Sequence, residues 1–261
     1  MRVLVTNDDG LHAPGLAHLA AVAAAAGHEV TAVAPGGNFS GSGAAIGDLG
    51  EESRIRCREM TVVGLEDVQC IELDAPPALC VLSSALEAFG DRPEVVLSGV
   101  NPGLNTGRST LHSGTVGAAL TAANLGIPGV AVSIAGHEPD VVHWDTAAEL
   151  AVSAGEWVHT RPGSLTLNLN LPDRRRSDLE GIRLASLAPM GAIHTEVRQR
   201  DDEWLTLGFA ETTAEMPTDS DSRLVAEGYP AVTAITGIRV RELEDPSGLL
   251  SWLGGHPRAA V

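Results

Sequence analysis

Lysine is absent from this chain: all 17 basic residues are arginine, set against 34 acidic ones. That absence removes Schiff-base chemistry on a lysine, a P-loop lysine and a Ser–Lys dyad. The formal net charge of −17 argues against binding along a nucleic-acid backbone, which needs many cations set against phosphates. It leaves open a small anionic substrate held through a metal. Cysteine is scarce as well. Cys57, Cys70 and Cys80 form no C-x-x-C pair, and an odd count fits a reducing compartment. The most apolar run, over 16–26, is too short to span a bilayer and is broken by His18. The opening MRVLVTNDDG reaches Asp8 and Asp9 before the apolar stretch of a signal peptide can form. The expectation is a cytoplasmic protein with no membrane partner and no nucleic-acid duplex as partner.

The 261 residues, 44% of them hydrophobic, suffice for a sizeable core. A β-branched run over 3–6 ends in the turn formers Asn7-Asp8-Asp9-Gly10 and reads as a strand. Pro14 and Gly27 bracket a helix over 14–26, and a second strand follows over 29–34. Strand, helix, strand is one βαβ unit, hence an α/β fold with a parallel sheet. Gly- and Ser-rich residues 36–58 read as a loop, and 61–63 and 68–73 as further strands. Helices are expected over 77–89, 115–125 and 145–158. Strands are expected over 95–98, 129–133, 164–171 and 181–187. From 190 to 235 short strand-like pieces alternate with polar turns, which suits a β-hairpin arm. The expected division is a core over 1–189 and an arm and tail over 190–261.

In a parallel sheet, ligands bind beyond the carboxyl ends of the strands. Three such ends carry polar residues: Asp8 and Asp9, the loop Asn38-Phe39-Ser40-Gly41, and Ser98-Gly99-Val100-Asn101 running on to Ser113-Gly114-Thr115. Two carboxylates, a hydroxyl and an amide oxygen are hard donors, suited to Mg²⁺, Mn²⁺ or Ca²⁺ rather than zinc. Ser113-Gly114-Thr115 opens a helix, where free N–H groups and hydroxyls attract phosphate. Each piece alone also reads as an ordinary turn or cap. Gly41 to Gly47 misses the dinucleotide fingerprint by one residue, the histidines form no HExxH, and no G-x-S-x-G elbow is present.

Together these segments resemble the SurE family of nucleoside-monophosphate phosphatases. VTNDDGLHAPGL at 5–16, Ser40-Gly41, SGVNPGLNTG at 98–107 and SGTVGAAL at 113–120 carry the likeness. LNLNLP at 167–172, GIRL at 181–184 and EGYPAVTAI at 227–235 extend it along nearly the whole chain. The resemblance implies a Rossmann-like three-layer αβα sandwich with a mixed, mainly parallel sheet. It also implies an extended C-terminal β-hairpin arm that joins subunits into a homodimer or homotetramer. A divalent metal, Mg²⁺ or Mn²⁺, is implied on Asp8, Asp9, Ser40 and Asn101, with Asp8 and Asp9 catalytic. Asn105, Ser113, Gly114 and Thr115 match positions near the substrate phosphate. The substrate is then a small phosphorylated molecule, most simply a nucleotide, hydrolysed as by a 5′-nucleotidase.

The chain departs from the family in several places: the loop 36–43 lacks the charged residues often seen before Ser40, Leu79 stands where the family has an acidic residue, and the stretch ahead of Ser113 differs. Where the family tends to read G-D-D-V-x-Y-S-G-T, this chain has Gly107-Arg108-Ser109-Thr110-Leu111-His112-Ser113. Two negative charges are lost and Arg108 adds a positive one, so Arg108 is either a substrate contact or a surface arginine. A phosphatase specialised for one unusual nucleotide or sugar phosphate, and a binding or regulatory homologue of low turnover, are the alternatives this leaves.

Overall fold

The computed structural model describes residues 1–136, 139–238 and 247. The tail of the expected arm beyond 238, residue 247 apart, lies outside the described residues.

Among the described residues, eleven strands and five α-helices follow one another. They are β1 (Arg2–Thr6), α1 (Pro14–Ala25), β2 (Glu29–Pro35), β3 (Cys57–Met60), β4 (Gln69–Leu73), α2 (Pro77–Ala85), β5 (Val95–Pro102) and α3 (Gly114–Asn124). Then come β6 (Gly129–Ile134), α4 (Trp144–His159), β7 (Thr166–Leu171), β8 (Arg183–Leu184), β9 (Ile193–Arg200), β10 (Leu205–Glu211), α5 (Asp221–Ala226) and β11 (Ala231–Ile235). Nine strands form one sheet in the order β3-β4-β2-β1-β5-β6-β7-β11-β8, and β9 and β10 pair as a separate hairpin. From β4 to β7 every pairing is parallel, whereas β3 against β4 and β11 against β7 are antiparallel. The sheet is therefore mixed and mainly parallel.

Alternation along the central strands builds the layers. Val3 and Val5 of β1, and Val95 and Leu97 of β5, pack with Leu16, Leu19 and Ala148 on the face covered by α1 and α4. Leu4, Val33 and Val96 point the other way, to Leu79, Val81 and Ala118 on the face covered by α2 and α3. Strands covered on both faces carry apolar residues at successive positions, which is why 3–5 of β1, 95–97 of β5 and 130–132 of β6 read as unbroken apolar runs. The result is the expected three-layer α/β sandwich. Cys80 lies in this core, and burial pushes its thiol up to about 12. At that value it carries no thiolate at neutral pH and is packing, not chemistry.

Several expectations shift. The strand expected over 61–63 lies at Cys57–Met60, on the sheet's outer edge, where mostly exposed side chains give no apolar signal. The helix expected to reach 89 ends at Ala85, and Glu87 adopts a positive φ of 64°. The segment from 190 onward divides. Only β9 and β10 project as a hairpin, whereas β11 returns to the main sheet between β7 and β8. A short helix, α5, precedes it where no helical pattern is visible, and Leu224 and Val225 pack with Ala231.

Asp221, at the start of α5, is fully buried. Its Oδ2 accepts the Gly107 N–H at 2.8 Å, and its Oδ1 accepts the N–H groups of Ala188 at 3.0 Å and Ser222 at 2.8 Å. One carboxylate thus ties the turn after β5 to the root of the hairpin. Asp221→Ala leaves three buried donors without acceptors and is expected to cost about 2–4 kcal/mol. Urea unfolding checks this; an unchanged midpoint and slope would mean that the carboxylate does not hold this junction.

Candidate active site

The strand order reverses at β1. The chain moves outward through β2 and β4 on one side and through β5 and β6 on the other, so the ends of β1 and β5 flank a topological switch point. Asn7, just past β1, closes a tight turn: its Nδ2 donates to the Gly10 carbonyl at 3.0 Å and its Oδ1 accepts the Gly10 N–H at 3.1 Å. That turn fixes Asp8 and Asp9 at the strand end. The Asp8 carbonyl accepts the Phe39 N–H at 2.7 Å, which brings the loop after β2, with Ser40, to the same edge. The Gly43 N–H in turn donates to the His112 carbonyl at 3.1 Å, joining that loop to the start of α3.

Ser113 caps α3, its Oγ accepting the Val116 N–H at 3.1 Å. Thr115 donates its hydroxyl to Asp8 Oδ1 at 2.6 Å. A Cβ at Gly114 would lie 2.7 Å from Asp8 Oδ2 and 2.8 Å from Ser42 Oγ. Only glycine lets the start of α3 come this close to the carboxylate. Asp8 is 3% exposed, and burial raises its pKa, opposed by the Thr115 hydroxyl and by the amides of Asp8, Thr115 and Gly114. The anion that the start of α3 faces is therefore Asp8 itself.

β5 continues past the expected end at 98 to Pro102 and carries Asn101 to the site. Asn101 donates its Nδ2 to the Gly103 carbonyl at 2.6 Å, leaving its amide oxygen for a ligand. Asn105 is held on all sides. Its N–H donates to Asn170 Oδ1 at 2.8 Å and its Nδ2 to Ser133 Oγ at 2.9 Å. Its carbonyl accepts from Asn168 Nδ2 at 2.8 Å and Asn170 Nδ2 at 2.9 Å.

A cleft of about 580 Å³ opens over these groups. Asp8, Ser40, Asn101, Asn105, Arg108 and Ser113 line it together, and Met190, Ile193, His194 and Phe209 close it from the hairpin side. Asp9 is half-buried next to Asp8 without lining the cleft, and Gly114 and Thr115 stand behind Asp8. Asn168 and Asn170 hold Asn105 in place, whereas the sequence reading treats them only as the polar half of an alternating strand. Both are fully buried, and the signal was an apolar strand interrupted by paired amides.

Among the described residues, no group of three His, Cys, Asp or Glu side chains is placed to hold a metal ion, and no cation pairs with Asp8. Asp8, Ser40 and Asn101 bring a buried carboxylate, a hydroxyl and an amide oxygen to the cleft. Such a set fits a hard divalent cation and not a zinc centre of imidazoles and thiolates.

Fold and cleft define a three-layer α/β protein with an oxygen-donor site at the switch point of its sheet. A family model described as Survival protein SurE matches residues 3–193. The chain belongs to the SurE family. The 5′-nucleotidase SurE of Xanthomonas euvesicatoria pv. vesicatoria is 35% identical to it, over 98% of this chain and 96% of that protein. The 5′-nucleotidase SurE of Aeromonas hydrophila subsp. hydrophila is 31% identical, over 97% and 98%. The crystal structure of the SurE protein from Aquifex aeolicus aligns with a TM-score of 0.78 at 27% identity, covering 97% of this chain and all of that one.

The raised Asp8 pKa has a consequence for stability. A carboxyl whose folded pKa lies above its unfolded value stabilises the fold below the unfolded value, and that contribution is lost as pH rises through the folded pKa. Asn resembles the protonated form at all pH. In EDTA, the melting temperature of Asp8→Asn relative to wild type is expected to be higher near about pH 7.5 than near about pH 4. A difference that stays flat across that range would show that burial does not govern this carboxyl.

Proposed function

We propose that this chain is a metal-dependent phosphatase that hydrolyses nucleoside monophosphates to nucleoside and phosphate, as a 5′-nucleotidase does. Membership of the SurE family makes it a phosphoric monoester hydrolase. The observation that carries the metal dependence is Asp8: a buried carboxylate without a cation, set at the start of α3 and facing a cleft lined by Ser40 and Asn101.

Asp8, Asp9, Ser40 and Asn101 would hold Mg²⁺ or Mn²⁺. When bound, such a cation supplies Lewis-acid polarisation of a phosphoryl oxygen. The side chains do the rest. The Thr115 hydroxyl and the α3 amides keep Asp8 in one orientation and favour its charged form. Asp8 or Asp9 orients and deprotonates the attacking water, or one of them attacks phosphorus. Asn105 and Ser113 face the phosphate and donate to its equatorial oxygens as charge builds there, with Gly114 and Thr115 completing that end from behind Asp8. The amide cage around Asn105 matters because a fixed donor stabilises developing charge without reorganising.

The hairpin supports a homo-oligomer, a dimer or a tetramer. A two-stranded ribbon is marginal alone. Trp204 is 72% and Phe209 73% exposed, with Val197, Leu205 and Leu207 also open to solvent. Such a patch calls for cover. No helix among the described residues is long and apolar enough to cross a membrane. The unpaired Cys57, Cys70 and Cys80 support a cytoplasmic location.

Phosphate release from nucleoside monophosphates is expected with Mg²⁺ or Mn²⁺ and to vanish in EDTA. Asp8→Asn should lower kcat/KM by about 100-fold or more while remaining folded. Full activity in EDTA, or in Asp8→Asn, overturns the reading. For assembly, light scattering at micromolar concentration should give a dimer or tetramer mass, reduced in Trp204→Asp/Leu207→Asp. A wild-type monomer would refute the role given to the hairpin.

A further inference from the structure

We infer that the cleft holds a second, cationic subsite built on Arg108, and that the preferred substrate is a nucleoside monophosphate bearing a second anionic group, phosphate or carboxylate. This deepens the phosphatase reading above and rests on it. Arg108 sits in the 3₁₀ turn Gly107–His112, which is tied to its neighbours by hydrogen bonds. The Gly107 N–H goes to Asp221, the Arg108 N–H to the Ala188 carbonyl at 3.2 Å, and the Ser109 hydroxyl to the Thr106 carbonyl at 2.7 Å. The turn is thus fixed, and the guanidinium, which makes no ion pair among the described residues, is left to the cleft it lines.

Arg108 stands in the half of the turn that abuts the root of the hairpin, whereas the other half, at His112, leads to the start of α3 beside Asp8. Gly107 has φ +62°, and a Cβ there would lie 2.3 Å from the Met190 carbonyl oxygen; a Cβ at Gly191 would lie 2.3 Å from Ser109 Oγ. Arg108 therefore shares the cleft with Met190, Ile193 and Phe209 of the hairpin wall, against which the body of the substrate would lie. The charge balance supports the same conclusion. The cleft's ionisable lining is Asp8, Arg108, His112 and His194, so Arg108 has no acidic neighbour there beyond Asp8, although acids outnumber bases 34 to 17 in the chain. His194 is held by Thr212, its Nδ1 lying 3.1 Å from the hydroxyl oxygen. A guanidinium in such a place takes a phosphate or carboxylate through two parallel hydrogen bonds.

Two substrate pairs test this: AMP against adenosine 3′,5′-bisphosphate, and UMP against orotidine 5′-monophosphate. Wild type is expected to favour the doubly anionic member of at least one pair by about tenfold or more in kcat/KM, and the pair that shows it identifies phosphate or carboxylate as the second group. Arg108→Ala should collapse that ratio by about 10- to 100-fold, and Arg108→Lys should restore part of it. Equal loss on both members of each pair would put Arg108 on the transferred phosphate and overturn the inference, as would no change at all. Calorimetry with the same four nucleotides separates the two readings. If wild type releases no phosphate but binds the doubly anionic members more tightly in an Arg108-dependent way, the phosphatase reading fails and the subsite stands. If AMP is hydrolysed without any second-anion preference in rate or Kd, only the subsite fails.

Discussion

The hydrogen bond from the Thr115 hydroxyl to Asp8 ties the start of α3 to a carboxylate buried just past the end of β1, a strand covered on both faces. Desolvation works against the charge of Asp8. The positive end of α3 and the amides of Gly114 and Thr115 work for it. Everything at the site is arranged around keeping that balance. Gly114 has no side chain because one would displace the carboxylate, the Asn7 turn sets the height of the strand end, and the Ser40 loop is tied to the Asp8 carbonyl. A divalent cation on this edge would answer the unmatched charge that burial has left there.

Around that point the molecule is organised as two supports meeting over one cleft. The sheet supplies Asp8 and Asn101 from neighbouring parallel strands, and β7 supplies the paired asparagines that hold Asn105. The other support is the junction at Asp221, where the turn bearing Arg108, the root of the hairpin and α5 meet on a single carboxylate. Rigid elements thus carry the Asp8 end of the cleft, and the hairpin carries the opposite wall.

Much of this is legible in the sequence because strands buried on both faces read as apolar runs, and polar residues just past them stand out. NDDG, Ser40-Gly41 and SGVN are visible for that reason, and the SurE resemblance joins them. What escapes the sequence depends on distant partners. Asn168 and Asn170 occupy alternate positions of a strand and so resemble solvent-facing polar residues, although both are fully buried against Asn105. β3 is a polar edge strand identified by its pairing with β4 and not by its own pattern. The place of β11 between β7 and β8 rests on long-range pairings, antiparallel with β7 and parallel with β8, that nothing local encodes. Asp221 belongs to no motif; three backbone amides from separate stretches give it its meaning.

The return of β11 to a position beside β8 makes the hairpin an insertion with adjoining roots. The chain leaves the sheet at Leu184 and re-enters at Ala231 on the neighbouring strand, where Leu184 pairs with Val232. A segment moored in this way can lengthen, shorten or be exchanged without changing the register of the sheet, since neither anchoring strand needs to move. Evolution could then remodel one wall of the cleft while the opposite wall, with its carboxylate, stays as it was.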